Sequence, residues 1–104
     1  MYKPLPHFLT IQPSPIHGLG LFASKSIPDN TNLGITHVKF NLSDKEYIRT
    51  PLGGFINHSD TPNCIKSGEG SCMITMKTLR EISQGEELTV SYTLYQTPPQ
   101  SLGQ

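Results

Sequence analysis

The chain has 104 residues, enough for one compact domain and too few for two. Eight Lys and Arg balance eight Asp and Glu without any basic stripe or acidic run, which argues against a nucleic-acid groove and against a charged tail. Nine Gly and nine Pro beside 35% hydrophobic residues point to short strands and frequent turns, not long helices.

In chain order, Met1-Tyr2-Lys3-Pro4-Leu5-Pro6 lacks the apolar run of a signal peptide. No later stretch nears the ~20 apolar residues of a membrane span, so a soluble intracellular chain is expected. Phe8–Gln12 reads as a strand closed by Pro13-Ser14-Pro15, and Leu21-Phe22-Ala23 continues the β character. Ile27-Pro28-Asp29-Asn30 is a turn, with Pro pre-setting φ, and residues 32–40 form a longer strand. Ser43-Asp44-Lys45-Glu46 matches a capping box, but Thr50-Pro51 follows soon after and limits any helix there to one or two turns. Cys64–Lys66 and Ser71–Lys77 flank the hairpin turn Ser67-Gly68-Glu69-Gly70, and Cys72, Ile74 and Met76 alternate onto one buried face. Leu88–Tyr92 reads as the last strand, followed by a loose Pro-rich tail over residues 93–104. Cys64 and Cys72 have no second Cys/His pair at zinc spacing, so they read as apolar filler and no metal is expected. One echo stands out. Ile27-x-x-Asn30-x-x-Leu33 and Ile82-x-x-Gly85-x-x-Leu88 share an anchor, a turn residue and a strand start. Two similar corners in a fold of small angled sheets account for it.

Three stretches carry chemistry. His17-Gly18-Leu19-Gly20-Leu21-Phe22-Ala23 contains G-x-G-x-x-A, but Pro28 and the missing helical periodicity rule out a dinucleotide-binding βαβ unit. What remains is a glycine pair where backbone comes close to something. Phe55-Ile56-Asn57-His58-Ser59 places three polar side chains directly after two apolar ones, and Glu86-Glu87-Leu88-Thr89-Val90-Ser91-Tyr92 is a strand ending in Tyr. Alone, each is an ordinary turn, loop or strand edge, and Glu86 and Glu87 read as a solvated turn.

In this order the three stretches resemble the SET domain, from about Leu9 to Tyr92. The resemblance implies a mainly β, β-clip-like fold of several small twisted sheets with a C-terminal pseudoknot and little helix. It implies one domain over residues 1–104, with a core of about 9–92. It also implies a protein-lysine N-methyltransferase that uses S-adenosyl-L-methionine and releases S-adenosyl-L-homocysteine. By that resemblance Gly18, Leu19 and Gly20 lie against the methionine part of the cofactor. Asn57 contacts its amino-acid end, and His58 bonds the adenine mainly through its backbone. Tyr92 is the catalytic residue and also touches the cofactor. Tyr47, Phe55, Val90 and Tyr95 are candidates for the lysine channel.

Methyl transfer from a sulfonium is an in-line displacement, so the protein's task is chiefly to align nitrogen, methyl carbon and sulfur. The attacking lysine must be neutral, and a dry channel beside a positive charge lowers its pKa without a dedicated base. The chain departs from the family pattern at Asp60, where many members carry a zinc-binding Cys, and no cysteine follows Cys72. The zinc-bound module that usually closes the lysine channel is therefore expected to be absent. Tyr95, the tail or a second protomer is expected to take its place. The short Thr31–Pro51 segment leaves a reduced groove, which a folded protein substrate or a homodimer would complete. A non-catalytic binding module is the alternative reading, since a fold does not fix a function.

Overall fold

The structure, a computed structural model, describes residues 5–39, 47–68, 72–91 and 95–96. Two small sheets hold nearly all the regular structure. The first has the order β1 (Leu9–Pro13), β2 (Leu19–Ala23), β8 (Glu87–Val90), β5 (Asn57–His58). The second runs β4 (Ile48–Arg49), β3 (Asn32–Val38), β7 (Met73–Thr78), β6 (Cys64–Ser67), β9 (Tyr95–Gln96). This is the mainly β architecture that the composition and the resemblance imply.

β1 and β2 form an antiparallel pair from Leu9↔Ala23 to Pro13↔Leu19, joined by the turn that contains Gly18. β2 then pairs with β8, which puts Leu21 opposite Leu88; both are fully buried. β5 joins β8 in parallel, with Asn57 beside Thr89 and His58 beside Val90. This pairing brings the Asn-His-Ser segment and the last motif strand side by side, as the pseudoknot requires. In the second sheet β6 and β7 make the hairpin read from the sequence, from Cys64↔Thr78 to Ser67↔Thr75. Ile74 and Met76 are buried on its inner face, as alternation predicts. The core formed between these elements includes Leu9, Leu21, Ile27, Leu52, Cys64, Met76, Ile82, Leu88 and Val90. Burial pushes the Cys64 thiol up to about 12, so it packs as a neutral apolar group.

The two echoed corners do more than resemble each other. Ile27 and Ile82 bond reciprocally, each amide donating to the other's carbonyl at 2.8 Å. Asn30 and Gly85 both adopt left-handed φ, at +59° and +88°, and each turn launches a strand. Asn tolerates that region better than most side chains, so both sequences satisfy one backbone requirement.

Two expectations are corrected. The helix described here is α1 (Pro51–Phe55), started by the Thr50-Pro51 pair that the sequence reading took as a stop. Thr50 is the N-cap, its hydroxyl accepting from the Gly53 amide at 3.3 Å, and Pro51 occupies the first turn, where a missing N–H costs nothing. The capping-box segment at Ser43 lies outside the described residues. The chain also does not end its regular structure at β8. Tyr95–Gln96 adds β9 alongside Lys66 and Ser67 in parallel.

Asn63 ties β6 to β8. Its Nδ2 donates to the Glu87 carbonyl at 2.8 Å, and its Oδ1 accepts from the Thr89 amide at 2.8 Å. The side chain is almost fully buried. Asn63→Ala orphans one buried donor and one buried acceptor, and is expected to cost about 2 kcal/mol. A fall in Tm of roughly 10 °C is the expected reading in thermal unfolding; an unchanged Tm would show that β8 does not depend on this amide.

Glu86 makes an ion pair with Arg80 and accepts from the Ser83 amide at 3.0 Å. These contacts, the Arg80 hydrogen bond first, hold its carboxyl down at about 2 despite an opposing effect of burial. A carboxyl whose pKa is depressed on folding contributes stability above its unfolded pKa and loses it as pH falls through the folded value. Glu86→Gln is therefore expected to lower stability by roughly 0.5–1 kcal/mol at pH 7, since the pair is partly exposed. The difference should close between about pH 4.5 and pH 2, as read by urea unfolding across that range.

Candidate functional site

The three motif stretches meet at Asn57, which β5 presents beside β8. Asn57 Nδ2 donates to the His17 and Leu19 carbonyls, both at 3.2 Å, and to Glu87 Oε2 at 2.9 Å. Ser14 Oγ donates to the same carboxylate at 2.8 Å, and accepts from the Ile16 amide at 2.9 Å. The turn from Ser14 to Leu19 is thus held from beneath by one carboxylate and one amide. Gly20 makes this possible, because a Cβ there would overlap the Glu87 carboxylate and crowd the Asn57 amide. Gly18, at φ +47°, takes the left-handed turn and has open space beside it.

A cavity of about 610 Å³ borders this turn, within the size range of small-molecule sites. Gly18, Leu19 and Asn57 form part of its wall, and Gly53, Gly54, Phe55 and Ile56 of α1 and its end form another. His17, His37, Arg49 and Lys66 contribute the remainder, and no carboxylate is among the described residues lining it. Burial, then the Lys66 and Arg49 charges, moves the His37 pKa below its usual value. Burial, then Arg49, lowers that of Lys66. The wall therefore offers bare glycine backbone, an oriented Asn and a positive field, a combination suited to a small ligand with an anionic group.

Of the residues singled out from sequence, Gly18, Leu19, Asn57 and Phe55 reach this cavity, and Gly20 lies directly behind it against Asn57. His58 does not line it; its Nε2 lies 3.1 Å from Asp60 Oδ1. Val90 is fully buried in the core, where β8 pairs with β5, and is not among the residues lining this cavity. Tyr47 is outside the cavity wall as well, its ring edge-on to His37 at 6.0 Å with Lys39 Nζ 4.5 Å from its centre. Tyr95 is placed by its backbone in β9, and Tyr92 lies outside the described residues. Sequence reasoning missed Glu87, read as a solvated turn. The close approach of Gly20 is the structural reason it is drawn in. It also missed Lys66, although alternation with buried Cys64 puts both on one face of β6.

Comparison with known proteins identifies the family. The family model described as the SET domain matches residues 38–93. A histone-lysine N-methyltransferase, H3 lysine-4 specific, from Chaetomium globosum is 33% identical over 76% of this chain and 10% of its own length. The protein of the same name from Schizosaccharomyces pombe is also 33% identical, over 77% of this chain and 12% of its own. The chain thus spans about a tenth of the length of these curated relatives. Among solved structures, a Plasmodium falciparum protein described as a candidate histone methyltransferase superposes with a TM-score of 0.66 at 20% identity, covering 84% of this chain and 94% of that one. A chain of the Chaetomium thermophilum Polycomb Repressive Complex 2 superposes with a TM-score of 0.65 at 16% identity, covering 82% of this chain and 16% of that one. With more than half its length on the family model and relatives 33% identical over three quarters of it, this chain belongs to the SET domain family.

Proposed function

We propose that this chain binds S-adenosyl-L-methionine at the Gly18–Asn57 cavity and transfers its methyl group to a lysine of a protein substrate. The observation that supports this best is the convergence of Gly18, Leu19 and Asn57 on one cavity of about 610 Å³, held by Glu87. The cofactor, when bound, supplies an electrophilic methyl on a sulfonium. The chain's own part is positioning. Gly18 and Leu19 offer backbone to the ligand, and Asn57 keeps that backbone in place. Arg49 and Lys66 suit the carboxylate of an amino-acid end. The same positive wall favours a neutral acceptor amine, because nearby like charge disfavours the ammonium form.

Among the described residues no three His, Cys, Asp or Glu side chains come together as a metal site, and no helix is long and apolar enough to cross a membrane. The acceptor is a protein lysine, and its groove is completed by a folded substrate surface or by a second copy of the chain.

Calorimetry with S-adenosyl-L-homocysteine, followed by transfer of labelled methyl from the cofactor to histone peptides and intact proteins, tests the reading. Saturable binding and label on lysine are expected. No heat of binding at millimolar ligand would sink it, whereas binding without transfer would leave the non-catalytic module.

A further inference from the structure

In a regular strand the side chains of neighbouring residues point to opposite faces. β3 breaks that rule at Thr36 and His37. Its register against β7 slips between Ile35↔Thr75 and His37↔Ile74, a bulge with Thr36 as the extra residue. A bulge of this kind re-aims a side chain, and here His37 Nδ1 comes within 2.9 Å of Thr36 Oγ1. Thr36 is fully buried and anchored twice. Its carbonyl accepts from the Thr50 amide at 2.9 Å, at the start of α1, and its hydroxyl lies 3.2 Å from the Ile74 carbonyl of β7.

This network assigns the tautomer of the ring. The Thr36 hydroxyl has one hydrogen and the Ile74 carbonyl can only accept, so the hydroxyl donates to Ile74 and accepts from His37 Nδ1–H. The opposite arrangement would leave two oxygen acceptors facing each other at 3.2 Å with no hydrogen between them. Neutral His37 therefore carries a bare lone pair on Nε2. That nitrogen has no hydrogen-bond partner among the described residues, and the residue lines the cavity. The charged and titratable groups around it are Lys66 on β6, Arg49 and Tyr47 at β4, Lys39 further along β3 and His17 in the glycine turn. None of these is a carboxylate that would favour the imidazolium, and burial with the Lys66 and Arg49 charges lowers the ring's pKa.

Resting on the methyltransferase reading above, we propose that His37 Nε2 accepts a hydrogen bond from the neutral amine of the substrate lysine and so aims its lone pair at the methyl group. An acceptor set among cations suits a donor without charge. The cofactor's own ammonium stays charged and is repelled from such a wall, whereas the lysine must be neutral to react. Holding one N–H narrows the directions open to the lone pair, which is the alignment an in-line displacement needs. The lone pair forms the N–C bond as the C–S bond breaks, and the bonding pair stays on sulfur. The N–H on His37 remains on nitrogen during transfer, and the methylammonium loses a proton to water afterwards.

The test is single-turnover transfer of labelled methyl from S-adenosyl-L-methionine to histone H3 by the parent chain, His37→Asn and His37→Gln. Asn places its amide nitrogen near the position of Nδ1, so the Thr36 contact is kept and the acceptor at Nε2 is lost. Gln carries its amide oxygen out towards the position of Nε2. Transfer by His37→Asn is expected to fall about 10- to 100-fold, the scale of a misplaced reacting group, with S-adenosyl-L-homocysteine affinity within about two-fold of the parent. His37→Gln should recover most of that loss. The pH profile separates positioning from packing, because protonation turns Nε2 from an acceptor into a donor. Below the usual histidine value of about 6.5, the parent's log rate should fall with a slope of about two, one from the lysine and one from His37, and that of His37→Gln with a slope of about one. Equal rates for the parent and His37→Asn, or a slope of about one for the parent throughout, overturn the role of His37 and leave the methyltransferase reading intact. A further measurement needs no turnover. In chain carrying ¹⁵N-histidine, the His37 signals, assigned by their loss in either variant, should show hydrogen on Nδ1 and a bare Nε2 at about pH 7. Hydrogen on Nε2 overturns the proposal even where a variant fails to fold. A parent chain that transfers no methyl to histone H3 or to the proteins of a cell lysate defeats the proposal together with the reading beneath it.

Discussion

Asn57→Ala is expected to weaken S-adenosyl-L-homocysteine binding by about 100-fold in calorimetry, near 2.7 kcal/mol. Two losses combine. On the proposed reading a direct contact with the ligand's amino-acid end would go, at a cost of about 1.5–3 kcal/mol for a hydrogen bond involving charge. The His17 and Leu19 carbonyls also lose their tether, and Glu87 loses a donor that lies 2.9 Å away. The turn at Gly18 is then free to wander, and preorganisation of the cavity wall is lost with it. Gly20→Ala reaches the same end from the other side, by displacing the Glu87 carboxylate from Asn57. If Asn57→Ala binds as tightly as the parent chain, this cavity is not where the ligand sits.

Tyr92→Phe is expected to separate binding from transfer. In the proposed reaction this hydroxyl would hold the methyl by weak C–H···O contacts and orient the amine. Its removal should slow single-turnover transfer roughly 10²-fold, the usual scale for one preorganised polar group in a transition state. Affinity for S-adenosyl-L-homocysteine should change little, because the glycine turn and Asn57 remain. Equal losses in both would assign Tyr92 to binding, and no loss in either would remove it from the site.

Much of the fold was legible because its signals are local. The hairpin from Cys64 to Thr78 follows from alternation around a Gly-rich turn. The two corners at Ile27 and Ile82 were visible as an echo, but their mutual bonding was not, since nothing local encodes contact across that distance. Thr50-Pro51 misled for a physical reason. Proline ends a helix from inside and begins one from its first turn, and only the following apolar residues, Leu52 and Phe55, distinguish the cases. β9 was missed because a two-residue parallel strand gains its meaning from its partner, Lys66–Ser67, and not from its own sequence.

The site divides in the same way. Gly18, Leu19 and Asn57 were found through the family pattern, and the structure brings them to one cavity. Glu87 could have been found by asking what a Gly at position 20 leaves room for, once β2 and β8 are paired. Lys66 could have been found from Cys64, because one strand cannot bury a residue without turning the next-but-one the same way. Arg49 and His37 required β3 and β4 to be seen together; they face each other in register.

The strand lengths bear on how the chain behaves at high concentration. Among the described residues, the outer strands of the larger sheet, β4 and β9, have two residues each, and so does β5 at one side of the smaller sheet. The remaining outer strand, β1, ends in Pro13, which has no amide hydrogen to offer. A stray extended segment therefore finds few free backbone groups in a row to bond with, even though apolar side chains such as Ile35, Ile48 and Met73 are exposed nearby. Small size and a Gly- and Pro-rich chain leave this domain little stability to spare, and blunt borders of this kind keep transient openings from recruiting further copies into fibres.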